Sequence, residues 1–326
     1  MPGLVTVAIP TLDAGPAFTR TLAAIRAQRI DAQLQLLVCD SGSADDTVDR
    51  ARAHGADVIQ IARAEFSHGG TRNLLMSRAR GDHVAFLTQD AVPDGDGWLA
   101  ALVGAFALGR DVGLAFGPYR PQPGASPMVQ RELSAWFQSF SPDGRPRIDA
   151  LEPDRRDLPP GAFMGHLGFF TDANGCIARA AWERVPFREI AYAEDHLLAQ
   201  DMLRAGYGKV YVPGAAVIHS HDYSPAQWLR RNFDEARAVR EVYGWALDPR
   251  AAVANVRGGV AGDVRWARAR QGAPDTSDDG PARPGIPLLV ASTLHHGARA
   301  AGGLLGGHAD RLPPALIARL SLEGRA

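Results

Sequence analysis

A chain of 326 residues, 46% hydrophobic and 22% charged, has the balance of an ordinary globular protein and can bury a sizeable core. Its formal net charge of -1 lacks the strong basic excess of a nucleic-acid binder. Two cysteines far apart, Cys39 and Cys176, make neither a disulfide framework nor a metal cluster and read as buried small side chains in a reducing cytoplasm.

Lys209 is the only lysine, so nearly all positive charge is arginine. The N-terminal residues run straight into a strand pattern without a basic region or cleavage-type segment, which predicts a cytoplasmic chain. No run of 18 apolar residues suggests a transmembrane helix. The weakly apolar stretch 286–305 leaves room for peripheral contact at the inner membrane surface.

In chain order, residues 4–9 read as a buried strand stopped by Pro10. Phe18, Leu22 and Ile25 have helical spacing within 16–28. A second strand covers 34–39, followed by a helix over 43–53 with Ser43 as N-cap and Asp45 and Asp46 in its first turn. A third strand (58–61), a helix (71–80), a fourth strand (83–87), a helix (98–108) and a fifth strand (112–116) complete the alternation. Such alternation implies crossover units and a mainly parallel α/β sheet, whose ligands bind beyond the C-terminal strand ends.

The Pro-, Asp- and Arg-rich region 118–160 reads as a helix near 129–140 between loops. Helices near 180–184 and 193–205 and strands near 209–212 and 215–219 follow, then an amphipathic helix over 225–243. Residues 270–285 read as a flexible linker before a helical C-terminal segment. The predicted organisation is a catalytic domain over 1–243, split near 117 into nucleotide- and acceptor-binding halves, with a helical extension over 244–326.

Chemistry-bearing residues cluster at the strand ends. Asp40, ending strand two, can accept hydrogen bonds from a base or ribose, and Ser41 and Gly42 allow a tight turn. Strand four delivers Gln89-Asp90 to the same edge, where a divalent cation uses one or two carboxylates plus phosphate oxygens. Asp94 and Asp96 read as turn residues capping the Trp98 helix. In His68-Gly69-Gly70-Thr71-Arg72-Asn73, the glycines permit close backbone approach to a ligand and Arg72, in a first helical turn, favours an anion. Glu194-Asp195 either satisfies a helix dipole or supplies a general base. In a strand, His219 and His221 point to one face, where one or both can bind metal. The dinucleotide and P-loop glycine motifs are absent.

The order and spacing of these motifs resemble the family 2 inverting glycosyltransferases of the Rossmann-like GT-A fold, over roughly 4–240. The rhamnosyltransferase-like branch is the most similar, through Asp40-Ser41-Gly42-Ser43, His68–Asn73, Thr88-Gln89-Asp90-Ala91 and His219-Ser220-His221. The resemblance implies that Pro10, Thr11, Asp40, Ser41 and Gly42 hold the nucleotide. It places Arg72 near the diphosphate or in shaping the site, and Gln89-Asp90 in the metal-binding position. It also implies Asp172 and Asn174 in the sugar or acceptor pocket, and Asp195, beside Glu194, as the base. Gln89-Asp90-Ala91 has one acid where the family pattern has more, so Mn2+ or Mg2+ would lean on Asp90, phosphate oxygens and His219 or His221. The implied donor is dTDP-rhamnose, with UDP-sugars second, and the implied acceptor is a glycan or lipid-linked hydroxyl. A nucleotidyltransferase and an inactive scaffold are the rival readings, and homo-oligomerisation stays open.

Overall fold

The computed structural model describes residues 3–270 and 287–322, so most of the expected linker (270–285) lies outside the described residues. In chain order the elements are β1 Gly3–Thr11, α1 Phe18–Arg26, β2 Ala32–Asp40, α2 Thr47–Ala53, β3 Asp57–Gln60, α3 His68–Arg78, β4 His83–Leu87, β5 Val92–Pro93, α4 Trp98–Gly104, β6 Val112–Phe116 and β7 Tyr119–Arg120. Then come α5 Pro127–Phe140, β8 Arg147–Asp149, β9 Asn174–Ala178, α6 Arg179–Trp182, α7 Glu194–Arg204, β10 Gly208–Tyr211 and β11 Val217–Ile218. The remaining helices are α8 Pro225–Tyr243, α9 Pro249–Arg270, α10 Leu288–Gly307 and α11 Pro314–Leu320.

Two compact units form, residues 1–120 with 137–219, and residues 121–136 with 220–326. The helix 225–243, expected with the catalytic domain, thus groups with the C-terminal helices.

The first unit is built on an eight-stranded sheet of order β3-β2-β1-β4-β9-β6-β10-β8. β1 pairs in parallel with β2 and β4, and β2 with β3, as the crossover pattern requires. Pro10 does not stop β1, which runs on to Thr11. β4 pairs only with Val5–Ala8, so Pro10 has no partner strand there and its missing N–H breaks no ladder bond on that side. The sequence pattern predicts none of β5, β7, β8 and β9; of these, β9 inserts antiparallel between β4 and β6, with Leu87 opposite Asn174 and Phe116 opposite Gly175. Its start therefore lies at the C-terminal ends of β4 and β6, which carries Asp172 to the functional edge.

Val7, Ile9, Val38, Leu87, Ala115 and Cys176 are fully buried in one core, and Cys39 is as buried, so both cysteines are the apolar residues expected. Burial pushes the Cys39 thiol up to about 11. Lys209, on β10, is completely buried, and its Nζ donates to the carbonyls of His166, Leu167 and Phe169 at 2.7, 2.8 and 2.7 Å, with Asp149 at 3.4 Å. A buried ammonium needs this degree of pairing.

In the second unit, α10 lies against α8. A Cβ on Gly302 would sit 2.2 Å from the Leu229 carbonyl oxygen, and one on Gly306 2.1 Å from that of Phe233. These small residues four apart let the two backbones approach closely. No helix among the described residues is long and apolar enough to cross a membrane.

Candidate active site

The turn after β2 is built around Asp40. Its buried carboxylate accepts from Thr11 Oγ1 at 3.1 Å, Gly42 N at 3.1 Å, Ser43 N at 3.0 Å and Ser43 Oγ at 2.5 Å. Ser41 Oγ donates to the Thr11 carbonyl at 2.9 Å. Asp40, Ser41 and Thr11 thus clasp the ends of β1 and β2, and Gly42 supplies the left-handed residue of the turn at φ +91. Ser43 is spent on Asp40, so it does not cap α2. That helix starts later, at Thr47, with Asp45 and Asp46 before its first turn.

Gln89 forms a two-way amide pair with Leu12, whose N donates to Oε1 at 2.9 Å while Nε2 donates to its carbonyl at 3.1 Å. It ties the loop after Pro10-Thr11 to the end of β4. Asp90 follows with its side chain 41% exposed, and its Oδ1 is 3.5 Å from His219 Nδ1. Tyr119 packs edge-on against the His219 ring, centroids 5.0 Å apart, and its hydroxyl is hydrogen-bonded to Thr171. Tyr119 carries no local signal in the sequence, because β7 and β11 are two-residue strands paired across a long stretch of chain. β11 ends before His219, so strand alternation does not set the two histidine faces. His221 falls in the second unit, stacked on Tyr223 at 5.2 Å. Asp94 and Asp96 do not cap α4: they pair with Arg120 and Arg29, and Gly97 is the N-cap.

A second cluster surrounds Arg72. α3 starts at His68, capped by Ser67 Oγ accepting from Gly70 N, which moves Arg72 out of the first turn. The glycines there do not open onto a ligand, because a Cβ on Gly69 would lie 2.4 Å from the Arg188 carbonyl oxygen. Arg72 is buried. Its Nε meets Asp172, its Nη1 meets Glu194 Oε1 at 3.1 Å, and its Nη1 also donates to the His68 carbonyl at 3.0 Å. Glu194 and Asp195 open α7 behind Ala193, held at φ 64, a backbone cost that fixes how the acid pair enters the site. Asp195 is partly buried and its Oδ1 accepts from His196 N at 2.8 Å.

Three carboxyls share one guanidinium, so they cannot all ionise freely. Burial, with Asp172 adding to it and Arg72 opposing, pushes Asp195 up to about 7. Burial raises Asp172 to about 7 against the pull of Arg72, and Glu194 is raised too, again chiefly by burial. A half-exposed metal-type acid and a partly buried acid raised toward neutrality thus sit at this edge of the fold. Asn174 is more enclosed than a pocket residue: its Oδ1 accepts from Trp98 Nε1 at 2.8 Å and its Nδ2 donates to Ala215 and Pro118 carbonyls at 2.8 and 3.1 Å.

Residues 6–170 match the family described as Glycosyl transferase family 2, and the chain belongs to that family. The O-antigen chain rhamnosyltransferase WbaN of Salmonella anatum is 30% identical over 237 residues, covering 70% of each chain. A mannosyltransferase from Pyrobaculum calidifontis, solved with GDP-Man and Mn2+, superposes with a TM-score of 0.59 at 16% identity, covering 96% of this chain and 89% of its own. Glucosyl-3-phosphoglycerate synthase from Mycobacterium tuberculosis, solved with Mn2+, UDP and glucosyl-3-phosphoglycerate, gives 0.51 at 19% identity, covering 76% and 82%. The fold is GT-A, and the protein is a rhamnosyltransferase-like glycosyltransferase.

Proposed function

We propose that the protein is an inverting rhamnosyltransferase that moves L-rhamnose from dTDP-rhamnose to a hydroxyl of a glycan or lipid-linked acceptor. The observation that carries the reading is Asp195, a carboxyl raised to about 7 beside the Arg72 cluster. A base with that affinity is half ionised at neutral pH and strong enough to take a hydroxyl proton. Asp195 removes the acceptor proton while the hydroxyl oxygen attacks the anomeric carbon from the face opposite the diphosphate, so one displacement inverts the centre. Arg72 holds Asp172 and Glu194 and thereby shapes the site. The clasp of Thr11, Asp40 and Ser41, tied by Gln89, forms the wall against which the nucleotide packs. The rhamnose assignment leans on the similarity to WbaN.

Asp90 and His219 fit a divalent metal: a partly exposed carboxylate and an imidazole 3.5 Å apart are oxygen and nitrogen donors that suit Mn2+ or Mg2+. Such an ion, when bound, offsets charge developing on the diphosphate.

Calorimetric titration with dTDP and UDP, with Mn2+ and with chelator, tests this on wild type and Asp90→Ala. The expected result is Mn2+-dependent binding, tighter for dTDP and weakened by Asp90→Ala. Binding of neither nucleotide under any condition would remove the donor site and leave the scaffold reading. Pyrophosphate release from dTTP and a sugar phosphate would point to a nucleotidyltransferase.

A further inference from the structure

Far from these strand ends in sequence, α10 carries His295 and His296 side by side, buried to 3% and 7% exposure. Both rings converge on one carboxylate of the same unit. His295 Nε2 is 3.3 Å from Glu132 Oε2 and His296 Nδ1 is 3.5 Å from Glu132 Oε1, and one ligand atom from each residue lies within 4.8 Å of the others. The two separations end on different oxygens of the one carboxylate, so both rings face the same small space beside it.

The far nitrogen of His296 is held separately. Nε2 lies 2.8 Å from Asp263 Oδ2, and the fully buried Asp263 also accepts from Ser292 Oγ and Arg131 Nε, each at 2.5 Å. A ring donating from Nε2 turns the lone pair of Nδ1 toward Glu132, an acceptor facing an acceptor. That arrangement favours a cation there; Arg299 Nη1 now faces Glu132 Oε2 and His295 Nε2, the latter at 3.4 Å, and Arg131 Nη2 lies 3.6 Å from Oε1. The carboxylate–imidazole pair behind it is the usual support of a metal-bound histidine. Space for the ring is built in, since a Cβ on Gly259 would lie 2.5 Å from it. A cavity of about 540 Å³, lined among others by Glu132, His296, Asn255 and Arg299, leaves an open position beside the carboxylate.

We propose that Glu132, His295 and His296 form a binding site for a zinc-type divalent cation, with Asp263 as the positioning residue for His296. Imidazole and carboxylate donors suit such ions, and three protein ligands with one open position is a known zinc arrangement. Zinc would have to displace Arg299, whose Nη1 hydrogen-bonds Glu132 and lies 3.4 Å from His295 Nε2. The site is independent of the glycosyltransfer reading. Its competing occupant is a proton on each ring.

The test uses the full chain carrying Asp90→Ala, which removes the donor-site acid. Metal-free protein is titrated with Zn2+ and its metal content measured after desalting. About one zinc per chain is expected, lost in His295→Gln/His296→Gln with helix content by circular dichroism retained. Asp263→Asn weakens zinc binding about 10- to 100-fold. In the chain with both histidines intact, added Zn2+ should shift the imidazole 15N signals of His295 and His296. Zinc content unchanged by the double substitution, or unmoved imidazole signals, overturns the proposal in favour of protons alone; the NMR arm decides if the double variant does not fold.

Discussion

Asp195 and Asp172 are two raised carboxyls with different partners. Both are raised to about 7 by burial, but Asp172 is spent on Arg72. The apparent values belong to the coupled group. Because a base works only when ionised, kcat/KM should rise with pH and level off above about 7. Asp195→Asn should cut kcat by ~10²–10⁴ and abolish that limb while leaving dTDP affinity near wild type. A variant with normal turnover and weakened nucleotide binding would reject Asp195 as the base. At this scale the sequence pointed to Glu194-Asp195 and Asp90 because they stand at element ends. It could not show how Arg72 is employed, because its partners lie about a hundred residues away along the chain.

Legibility followed sequence distance among the elements too. β4 and β6 were read to the residue and α8 to both ends, because hydrophobic period and capping residues are local signals. β9 was missed: Asn174-Gly175 is a poor strand opening, and its pairing with β4 and β6 is long-range. Ser43 looked like a cap by residue type, but Asp40 claims its hydroxyl. The contact of α10 with α8 offers a test of packing by small residues. In Gly306→Ala the added methyl would lie 2.1 Å from a main-chain oxygen that cannot rotate away. The helices must separate, at a cost of about 1–3 kcal/mol, typical of overpacking, despite the better helix propensity of alanine. Denaturant unfolding would read this as a lower midpoint, and an unchanged or higher one would mean that the α8 backbone yields freely.

For the whole molecule, the raised and lowered acids set opposing pH limbs. Asp172 and Asp195 hold protons more tightly folded than unfolded, from 3.8 to about 7. Their contribution is complete below pH about 4 and is lost as pH rises through 7. Asp263 runs the other way: despite burial, hydrogen bonds from His296, Ser292 and Arg131 hold it down at about 2, so its stabilisation is lost as pH falls from about 4 toward 2. Stability should therefore peak between pH about 4 and 6, below the pH at which the base is ionised. Urea midpoints measured across that range would show it, and Asp172→Asn should flatten the neutral limb; a midpoint that rises steadily from pH 5 to 8 would refute the assignment. Lys209 has a consequence of another kind. With the only ε-amine of the chain closed off by three carbonyl oxygens, the folded surface offers amine-reactive reagents no side-chain handle. Amine coupling to a dye or a solid support would tether the native molecule in one orientation, by its α-amino end, and a second attachment would mark a molecule that has come open.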